Sequence, residues 1–157
     1  MDVSLRPATQ EEFAFCESLS RRNMGDYLAA RKVLWDPDRF LASWATFENL
    51  VIAVDSRVVG LLRLAPEEGA LGLRDLQIVP EYQGRGIGAW AVRQAQSIAA
   101  SRGFRRLQLR VYEDNPAKAL YARSGFRVES VVDGAIHMAC DLPPHPSSSP
   151  DPLRGLD

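Results

Sequence analysis

The stretch Leu76-Gln-Ile-Val-Pro-Glu-Tyr-Gln-Gly-Arg-Gly-Ile-Gly-Ala-Trp90 decides the fold of this chain. An apolar strand runs through Pro80 into a glycine-rich turn and then directly into a helix. Gly84, Gly86 and Gly88 lack the Cβ atoms that would hold a ligand away from the backbone, so successive N–H groups can converge on an anion. The positive end of the following helix dipole points to the same place. The stretch therefore predicts a phosphate-binding loop.

The spacing of these glycines argues against two common phosphate-binding loops. A P-loop ends in Gly-Lys-Ser/Thr, whereas Gly86-Ile87-Gly88 supplies neither the lysine nor the hydroxyl that hold nucleotide phosphates and magnesium. A dinucleotide-binding loop has the pattern Gly-x-Gly-x-x-Gly, and here the third glycine comes one residue early. The pattern therefore favours a pyrophosphate ligand of another kind.

The composition indicates a globular domain that acts on a small ligand. A chain of 157 residues is long enough for one hydrophobic core. Its formal charge of −1, with both signs spread along the sequence, indicates neither nucleic acid nor an acidic membrane surface as a partner. No secretory leader is recognisable and no apolar run approaches the roughly 20 residues that cross a bilayer, so we expect a cytoplasmic protein.

The soft metal ligands are few and scattered. Cys16 and Cys140 lie far apart, no Cys-x-x-Cys pair occurs, and only His137 and His145 could join them. This arrangement predicts neither a metal site nor a disulfide framework. We expect two reduced, buried thiols.

Two segments resemble one known family. Residues 79–88, Val-Pro-Glu-Tyr-Gln-Gly-Arg-Gly-Ile-Gly, resemble the acyl-CoA-binding motif of the GNAT superfamily of N-acetyltransferases, in which Gln/Arg-x-x-Gly-x-Gly/Ala follows a strand. Residues 115–126, Asn-Pro-Ala-Lys-Ala-Leu-Tyr-Ala-Arg-Ser-Gly-Phe, resemble the Asn…Ala…Leu-Tyr…Gly-Phe segment of that family. The resemblance covers residues 3–142 and is most specific over 75–126.

The resemblance implies a GNAT-like single domain of the mixed α/β class over residues 1–142. Its central sheet should have about seven strands, with about four helices and a splay between the two central parallel strands. The chain's own periodicity predicts the order β-α-α-β-β-β-α-β-α-β-β. Local signals for its boundaries are a Thr9/Glu12 capping box, Asp36 before Pro37, and tight turns at Asp55-Ser56 and Asp133-Gly134. The Pro/Ser-rich segment 143–157 predicts a tail that does not fold by itself.

Acetyl-CoA is the co-substrate that the resemblance implies, with no metal. In this family the pantetheine arm lies between the splayed strands, against the backbone of the strand that ends at the proline. Carried over, this backbone belongs to Leu76, Gln77 and Ile78. The diphosphate is expected on the amides of Gly84, Arg85, Gly86, Ile87, Gly88 and Ala89, with the side chains of Gln83 and Arg85 at its edge. The alternatives are that Gly84 or Gly86 only relieves a tight turn and that Arg85 is a solvated surface charge. Asn115, one residue closer to Tyr121 than in most relatives, should cap its helix and meet the CoA arm. Lys118 is a candidate for a CoA phosphate; the alternative, which we expect, is a solvated surface residue.

Acetyl transfer to an amine needs a proton acceptor and a proton donor. The resemblance makes Tyr121 the acid for the leaving thiolate, since a phenol has a pKa of about 10; the alternative is an aromatic that packs helix on sheet. Asp75 is our candidate base because strand alternation places it with Leu73 and Gln77 on one face beside the cleft; the alternative is a structural or substrate-positioning carboxylate. A backbone N–H of Gln77 or Ile78 is the expected oxyanion donor.

Arg110 occupies the position at which some relatives carry a glutamate base. An arginine cannot act as a base at working pH. The proton could instead leave through solvent, or Arg110 could bind a carboxylate of the acceptor. A third interpretation, which we expect, is an Asp75–Arg110 ion pair. Glu113, at the end of the same strand, is either a reserve base or a surface residue.

The resemblance implies that the acceptor is an amine of a small molecule or peptide, bound in a pocket for which Tyr27, Trp35 and His137 are candidates besides Arg110. For these three residues, ordinary core packing is the alternative. A non-catalytic acyl-CoA-binding or sensing module is the rival function, and a nicotinamide-dependent oxidoreductase is a second rival. We expect a monomer or a homodimer.

Overall fold

A computed structural model describes residues 1–144 and shows a mixed seven-stranded sheet with helices on both faces. The strands are β1 (Val3–Pro7), β2 (Glu48–Val54), β3 (Arg57–Glu67), β4 (Ala70–Ile78), β5 (Arg106–Tyr112), β6 (Arg127–Val132) and β7 (Ala135–Asp141). The helices are α1 (Phe13–Ala30), α2 (Pro37–Thr46), α3 (Ile87–Ser101) and α4 (Ala117–Arg123), with 3₁₀ turns at Gln10–Glu12 and Pro80–Tyr82. The predicted fold class and order of elements are confirmed.

Local chemistry accounts for several of these boundaries. The amide of Thr9 donates to the carboxylate of Glu12 at 2.9 Å, which satisfies an N–H at the start of the first helical segment. The side chain of Asp36 accepts hydrogen bonds from two amides in the first turn of α2. The β2–β3 hairpin turns at Asp55 and Ser56, both with positive φ, as a type I′ turn requires.

The sheet order is β1-β2-β3-β4-β5-β7-β6, and β4 and β5 form its one parallel pair in the described chain. These two strands pair at Leu71 with Leu107 and at Gly72 with Gln108, and no pairing follows over the rest of their described length. A strand edge without a neighbour exposes backbone N–H and C=O groups. The predicted splay is therefore present, and it leaves the later part of β4 open to a ligand.

A β-bulge at Arg74 changes which side chains of β4 share a face. Arg63 of β3 pairs with Asp75, and the next residue of β3 pairs with Leu73, so Arg74 has no partner. Leu73 lies in the core beneath α3, whereas Gln77 accepts a hydrogen bond from α1 on the opposite face. The prediction that Asp75 shares a face with Leu73 is wrong, because strict alternation does not continue across a bulge.

The sheet separates two hydrophobic clusters. The larger lies under α3 and α4 and includes the buried α3 residues Ile87, Ala91, Val92, Ala95 and Ala99. The smaller lies under α1 and α2 and is formed by Cys16, Leu19, Phe40, Val51 and Leu61. Both cysteines are free and buried, as predicted. Burial raises the pKa of the Cys16 thiol to about 12, so this residue serves packing rather than nucleophilic chemistry.

The folded part of the described chain extends to Leu142, whose buried amide donates to the carbonyl of Arg105 at 2.9 Å. The predicted tail, 143–157, falls outside the described residues except for its first two prolines, and His145 lies outside them too. None of the described helices is both long enough and apolar enough to cross a membrane.

Candidate active site

A cavity of about 1010 Å³ opens where β4 and β5 diverge. Both sequence motifs contribute to its walls, together with α1 and β7. Of the residues proposed from sequence for binding or catalysis, those that border it are Tyr27, Asp75, Leu76, Gln77, Ile78, Gln83, Gly84, Gly86, Gly88, Ala89, Arg110, Asn115, Tyr121 and His137. One cavity thus contains both candidate proton-transfer groups, the candidate anion loop and most of the candidate acceptor pocket.

The glycine loop presents backbone amides to this cavity. Gly84 and Gly86 have φ values of +75° and +83°, and a Cβ built on either would meet no atom within 4 Å. The first hydrogen bond of α3 runs from Trp90 N–H to the carbonyl of Gly86 at 3.0 Å, so the amides of Ile87, Gly88 and Ala89 precede it. The loop therefore fits a diphosphate, because its glycines have a left-handed backbone conformation, the space around them is open and the first amides of α3 precede its hydrogen bonds. Helix N-termini bind such anions through their N–H groups and dipole.

Gln83 links the loop to β4 instead of projecting freely. Its Nε2 donates to the carbonyl of Ile78 at 3.0 Å, and Asn23 Nδ2 of α1 donates to the same carbonyl at 3.0 Å. The end of β4 is therefore held from two sides. This leaves the backbone of the splayed strand in a defined position before any ligand binds, which reduces the ordering cost of binding.

Three residues proposed for the CoA site have side chains that do not border the cavity. Arg85 donates to the carbonyl of Glu81 at 3.0 Å and lies over the ring of Tyr82 at 4.6 Å. Ile87 is buried in the core under α3, so only its amide is available. Lys118 is exposed on α4, away from the cavity lining. Asn115 does border the cavity, and its Oδ1 caps α4 by accepting from the amide of Ala117 at 2.9 Å.

Tyr121 projects from α4 into the wall of the cavity and is 6% exposed. Its ring packs edge-to-face against Phe126, with centroids 5.8 Å apart. Burial, with a smaller contribution from the charge of Asp75, raises the pKa of the Tyr121 phenol. The hydroxyl therefore stays protonated at neutral pH, which is the state that a proton donor requires.

Asp75 lies in a chain of hydrogen bonds that starts on α1. Asn23 Nδ2 donates to Gln77 Oε1 at 3.0 Å, and Gln77 Nε2 donates to Asp75 Oδ1 at 2.7 Å. Burial raises the pKa of Asp75, against the opposing effects of this hydrogen bond and of the nearby guanidinium of Arg63. A carboxylate whose pKa is raised toward neutrality is a better proton acceptor than an ordinary one.

Arg63 is the partner of Asp75, and sequence analysis missed it. Its Nη1 lies 3.6 Å from Asp75 Oδ2, its Nε donates to Asn49 Oδ1 at 2.9 Å, and it also donates to the hydroxyl of Ser43. The guanidinium also packs against two aromatic rings, those of Phe40 and Phe47, at 4.5 and 4.8 Å. A lone charge inside the apolar run of β3 was the available signal, because such a charge is buried only with partners.

The prediction that Asp75 forms an ion pair with Arg110 is wrong. Arg110 lies on β5 opposite His137 of β7, and neither an ion pair nor a hydrogen bond joins its side chain to any of residues 1–144. The cause is the splay, since β4 and β5 no longer pair where Asp75 and Arg110 lie. Arg63 reaches Asp75 because β3 and β4 remain paired at that point.

The remaining acceptor candidates lie in different places. Tyr27 and His137 border the cavity, whereas Trp35 borders a smaller neighbouring cavity of about 300 Å³ that also touches Asp75. The indole N–H of Trp35 donates to the hydroxyl of Ser20 at 3.3 Å, and its ring packs on Phe40 at 5.5 Å. Trp35 therefore supports the wall behind Asp75.

Arg31 is a second residue that sequence analysis missed, and it ties the end of α1 to the β5–α4 loop, on the side of the cavity opposite β4. Arg31, just after α1, donates to Asp114 Oδ1 at 2.9 Å and to the carbonyl of Tyr27 at 2.9 Å. Its guanidinium lies 3.7 Å from the ring centroid of Tyr112 at the end of β5. These contacts hold the last turn of α1 beside the β5–α4 loop, and with it the Tyr27 side of the acceptor pocket.

Potential metal ligands are dispersed through the described structure. Across 1–144, no set of three or more His, Cys, Asp or Glu side chains is close enough to hold an ion.

Comparison with known proteins gives one family. The model of the acetyltransferase (GNAT) family matches residues 13–126, which span both sequence motifs. No curated protein matches the chain in sequence. Solved structures match it at identities of 16–19% for the three described next, and similarity at this level shows the shared fold but no shared function.

Two of these structures contain the expected ligand. PaiA N-acetyltransferase from Thermoplasma acidophilum, in complex with coenzyme A, is 19% identical, with 90% of this chain and 99% of that chain covered and a TM-score of 0.72. A phosphinothricin acetyltransferase from Sinorhizobium meliloti, in complex with acetyl-CoA, is 16% identical, with 97% and 95% covered and a TM-score of 0.75. The ribosomal-protein-S18-alanine N-acetyltransferase from Escherichia coli is 18% identical, with 90% and 94% covered and a TM-score of 0.69.

Proposed function

Because the chain belongs to the GNAT family of acetyltransferases, we propose that it transfers the acetyl group of acetyl-CoA to an amine by direct attack in a ternary complex. The observation that carries this proposal is the shared cavity at the splay, which holds the glycine loop, Tyr121 and Asp75 together. Solved structures of the same fold with coenzyme A or acetyl-CoA support it.

The glycine loop and the open edge of β4 serve binding. In this proposal the amides of Gly88 and Ala89, at the start of α3, donate to the diphosphate. The backbone of Leu76 and the N–H of Ile78 align the pantetheine arm, since the carbonyl of Ile78 already accepts from Gln83 and Asn23. Holding both reactants in line converts a bimolecular reaction into an effectively unimolecular one. No metal is needed for these roles.

The proton transfers are assigned to two side chains. The amine nitrogen forms a bond to the acetyl carbon while the C–S bond breaks, so one proton must leave the nitrogen and one must reach the sulfur. Asp75 accepts the first, directly or through water, and Tyr121 supplies the second to the departing thiolate. A backbone N–H of Gln77 or Ile78 stabilises the developing oxyanion.

The surroundings of Asp75 suit a base better than a purely structural carboxylate. Arg63 and Gln77 hold it from one side, yet its side chain keeps 14% exposure and borders the cavity. A carboxylate that served only to neutralise Arg63 would gain nothing from facing the cleft. Arg63 is held by α2 and β2, so it fixes the position of Asp75 without covering it.

The amine acceptor belongs to a small molecule or a peptide. The names of the solved relatives provide one candidate of each kind, phosphinothricin and an alanine of ribosomal protein S18. Both belong in the panel of amines to be tested. The cytoplasmic location and the monomeric or dimeric state stay predictions.

Release of free CoA thiol across a panel of amines tests the function. We expect turnover with at least one amine, and Tyr121→Phe should lower kcat about 100-fold or more while the Kd for acetyl-CoA, measured by calorimetry, stays the same. Tyr82→Phe is the matched control, because Tyr82 also borders the cavity but its ring packs against Arg57 and Arg85. Full turnover in Tyr121→Phe would contradict the acid assignment.

Two other outcomes would replace the proposal. Binding of acetyl-CoA without acetylation of any amine would favour the sensing module. Thermal stabilisation by NAD but not by acetyl-CoA would favour an oxidoreductase, since a ligand that binds only the native state raises its apparent stability.

A further inference from the structure

Three arginines that border the cavity lie on β4 and β5, the strands called the sheet floor below, and they differ in whether their side chains have a partner. Arg74 donates to Glu67 at 2.6 Å, and Arg106 forms an ion pair with Glu129. The side chain of Arg110, by contrast, has no ion pair or hydrogen bond with any of residues 1–144, although it borders the same cavity. A cation without an internal partner, in a concave site, is available to an anionic ligand.

The neighbours of Arg110 across the sheet extend this cationic position into a row. The register pairs Arg110 of β5 with His137 of β7, and His137 with Ser130 of β6. All three residues border the cavity. Residues directly opposite in paired strands have Cβ atoms about 5 Å apart, so one small group can contact neighbouring members of the row. A guanidinium, an imidazole and a hydroxyl can all donate hydrogen bonds, and the row contains no carboxylate.

Apart from Asp75, the acidic residues of the described chain that border the cavity are already paired with other side chains. Glu67 accepts hydrogen bonds from both Arg74 and Gln108, and Glu129 is paired with Arg106. Arg39 and Arg123 also border the cavity without a partner among the described residues, but they lie on α2 and α4 rather than in the row on the sheet. Arg110 is therefore the cation of the sheet floor that remains for a ligand.

The position of the row relative to Asp75 defines the shape of that ligand. Asp75 lies three residues after Gly72, and Arg110 lies two residues after Gln108, the partner of Gly72. The bulge at Arg74 accounts for the extra residue, so Asp75 and Arg110 stand at corresponding heights on opposite sides of the splay. An acceptor that spans the splay would place one end at each.

We propose that Arg110, His137 and Ser130 form an anion subsite for the acceptor, which is then a small amine that also carries a carboxylate or a phosphorus oxyanion. The proposal rests on the acetyltransferase function proposed above. The amine lies at Asp75 and the anionic group at Arg110, whose planar guanidinium matches a carboxylate or phosphonate with two parallel hydrogen bonds. A neutral acceptor forgoes these charge-assisted bonds and binds more weakly.

A series of matched acceptors tests this directly. The probes are glycine, β-alanine, 4-aminobutyrate and 5-aminopentanoate, each compared with its primary amide, and aminomethylphosphonate and 2-aminoethylphosphonate for the second kind of oxyanion. Because hydrogen bonds to charged groups are the strong ones, we expect at least one anionic probe to exceed its neutral match by about 10- to 100-fold in kcat/KM. The length of the best probe measures the distance from Asp75 to the row.

Variants then assign the preference to the row. Arg110→Gln should remove most of the preference, because KM should rise far more for the anionic probe than for its neutral amide, with KM for acetyl-CoA unchanged. Arg110→Lys should restore part of the preference. Ser130→Ala and His137→Gln should each have a smaller effect in the same direction. Arg93→Gln is the matched control, since Arg93 is an exposed arginine of α3 outside the cavity.

The two proposals fail in different ways. Equal kcat/KM for every anionic probe and its amide, in an enzyme that acetylates amines, would overturn the anion subsite and leave the acetyltransferase function intact. So would a preference that persists in Arg110→Gln. If no amine is acetylated, calorimetry can still measure the binding of each probe in the presence of desulfo-CoA, a dead-end analogue. Tighter binding of an anionic probe than of its amide, lost in Arg110→Gln, would support the subsite. Equal binding of the probe and its amide would overturn it.

Discussion

The two walls of the cavity are built on different principles. The CoA wall, formed by the glycine loop and the start of α3, offers backbone amides, and its key residues are glycines with positive φ at 84 and 86. The acceptor wall offers side chains held by other side chains: Asp75 of β4 depends on Gln77, on Asn23 of α1 and on Arg63 of β3. One wall is local in sequence, whereas the other is assembled from distant segments.

This difference determines how the binding properties of each wall can change by mutation. A backbone site binds the part of the ligand that never changes, and it needs only the right dihedral angles. A site made of side chains can change its specificity by substitution at single positions, but it depends on packing between helices and sheet. The walls should therefore respond separately to mutation, and the following experiments test that separation.

The largest effect is expected from removal of the base on the acceptor wall. Asp75→Asn should lower kcat/KM for the amine by about 10²- to 10⁴-fold, the usual contribution of general base catalysis, with KM for acetyl-CoA unchanged. Burial raises the pKa of Asp75, and only its ionised form accepts a proton, so wild-type activity should rise with pH through a pKa above the ordinary value of about 3.9.

This acid limb of the pH profile should be absent in Asp75→Asn, which distinguishes loss of a base from loss of a structural group. An unchanged limb in the variant would show that another group accepts the proton. Asp141→Asn is the matched control, because Asp141 pairs with Arg127 and lies outside the cavity lining.

The next largest effect is expected on the CoA wall. Gly86→Ala should strain the backbone by about 1–2 kcal/mol, because an L-residue at φ +83° places its Cβ close to the following carbonyl oxygen. The loop should then shift, and KM for acetyl-CoA should rise by about tenfold or more, while the acceptor preference stays the same.

Gly103→Ala controls for the strain itself. Gly103 follows α3 with φ +85°, away from the cavity, so its substitution should cost similar stability without raising KM for acetyl-CoA. Urea unfolding and steady-state kinetics on both variants separate the two effects. Equal KM values in the two variants would contradict the role of the loop.

A smaller effect is expected where α1 meets the β5–α4 loop. Arg31→Ala removes the contacts to Asp114 and Tyr112 that hold the Tyr27 side of the acceptor pocket. Because the Arg31–Asp114 ion pair is partly exposed to solvent, it contributes little, so KM for the amine should rise by about fivefold or less, with acetyl-CoA kinetics unchanged. Arg22→Ala is the comparison, since Arg22 is a surface arginine of α1 that pairs with Glu81 beside the CoA wall. A change in KM for acetyl-CoA in Arg31→Ala would mean that the walls are coupled.

The smallest effect should be confined to stability. Glu12→Gln weakens the cap at the start of α1 and should lower the free energy of unfolding by about 1 kcal/mol at pH 7, with no change in kinetics. Hydrogen bonds from Arg6 and the amide of Thr9 lower the pKa of Glu12 to about 2. The stabilisation is therefore complete above the unfolded pKa of about 4.3 and is lost as the pH falls toward 2.

Urea unfolding from pH 7 down to pH 2 measures this loss, since the wild type and Glu12→Gln should converge at the acidic end. Glu11→Gln is the control, because Glu11 is exposed and makes no side-chain hydrogen bond within the described structure. A constant difference between wild type and Glu12→Gln across this range would contradict the assignment.

The acceptor wall also shows where inference from sequence stops. Alternation along β4 predicted that Asp75 faces the cleft with Leu73, but the bulge at Arg74 separates them. The same reasoning paired Asp75 with Arg110, because it placed β4 and β5 side by side, and the splay makes Arg63 the partner instead. Bulges and splays arise from how strands pair, and pairing is a long-range property that one strand does not carry.

The sequence by itself determined the elements whose causes are local. The glycines at 84, 86 and 88, the capping residues Thr9 and Asp36, and the turn at Asp55-Ser56 act through dihedral angles and hydrogen bonds a few residues away, so short stretches of sequence are enough to predict them. Only the tertiary structure decided which charges meet. Arg63 pairs with Asp75, Arg110 has no partner among residues 1–144, and Arg31 ties the end of α1 to the β5–α4 loop. These outcomes depend on strands and helices distant in sequence packing together, since the energy of a charge depends on what surrounds it.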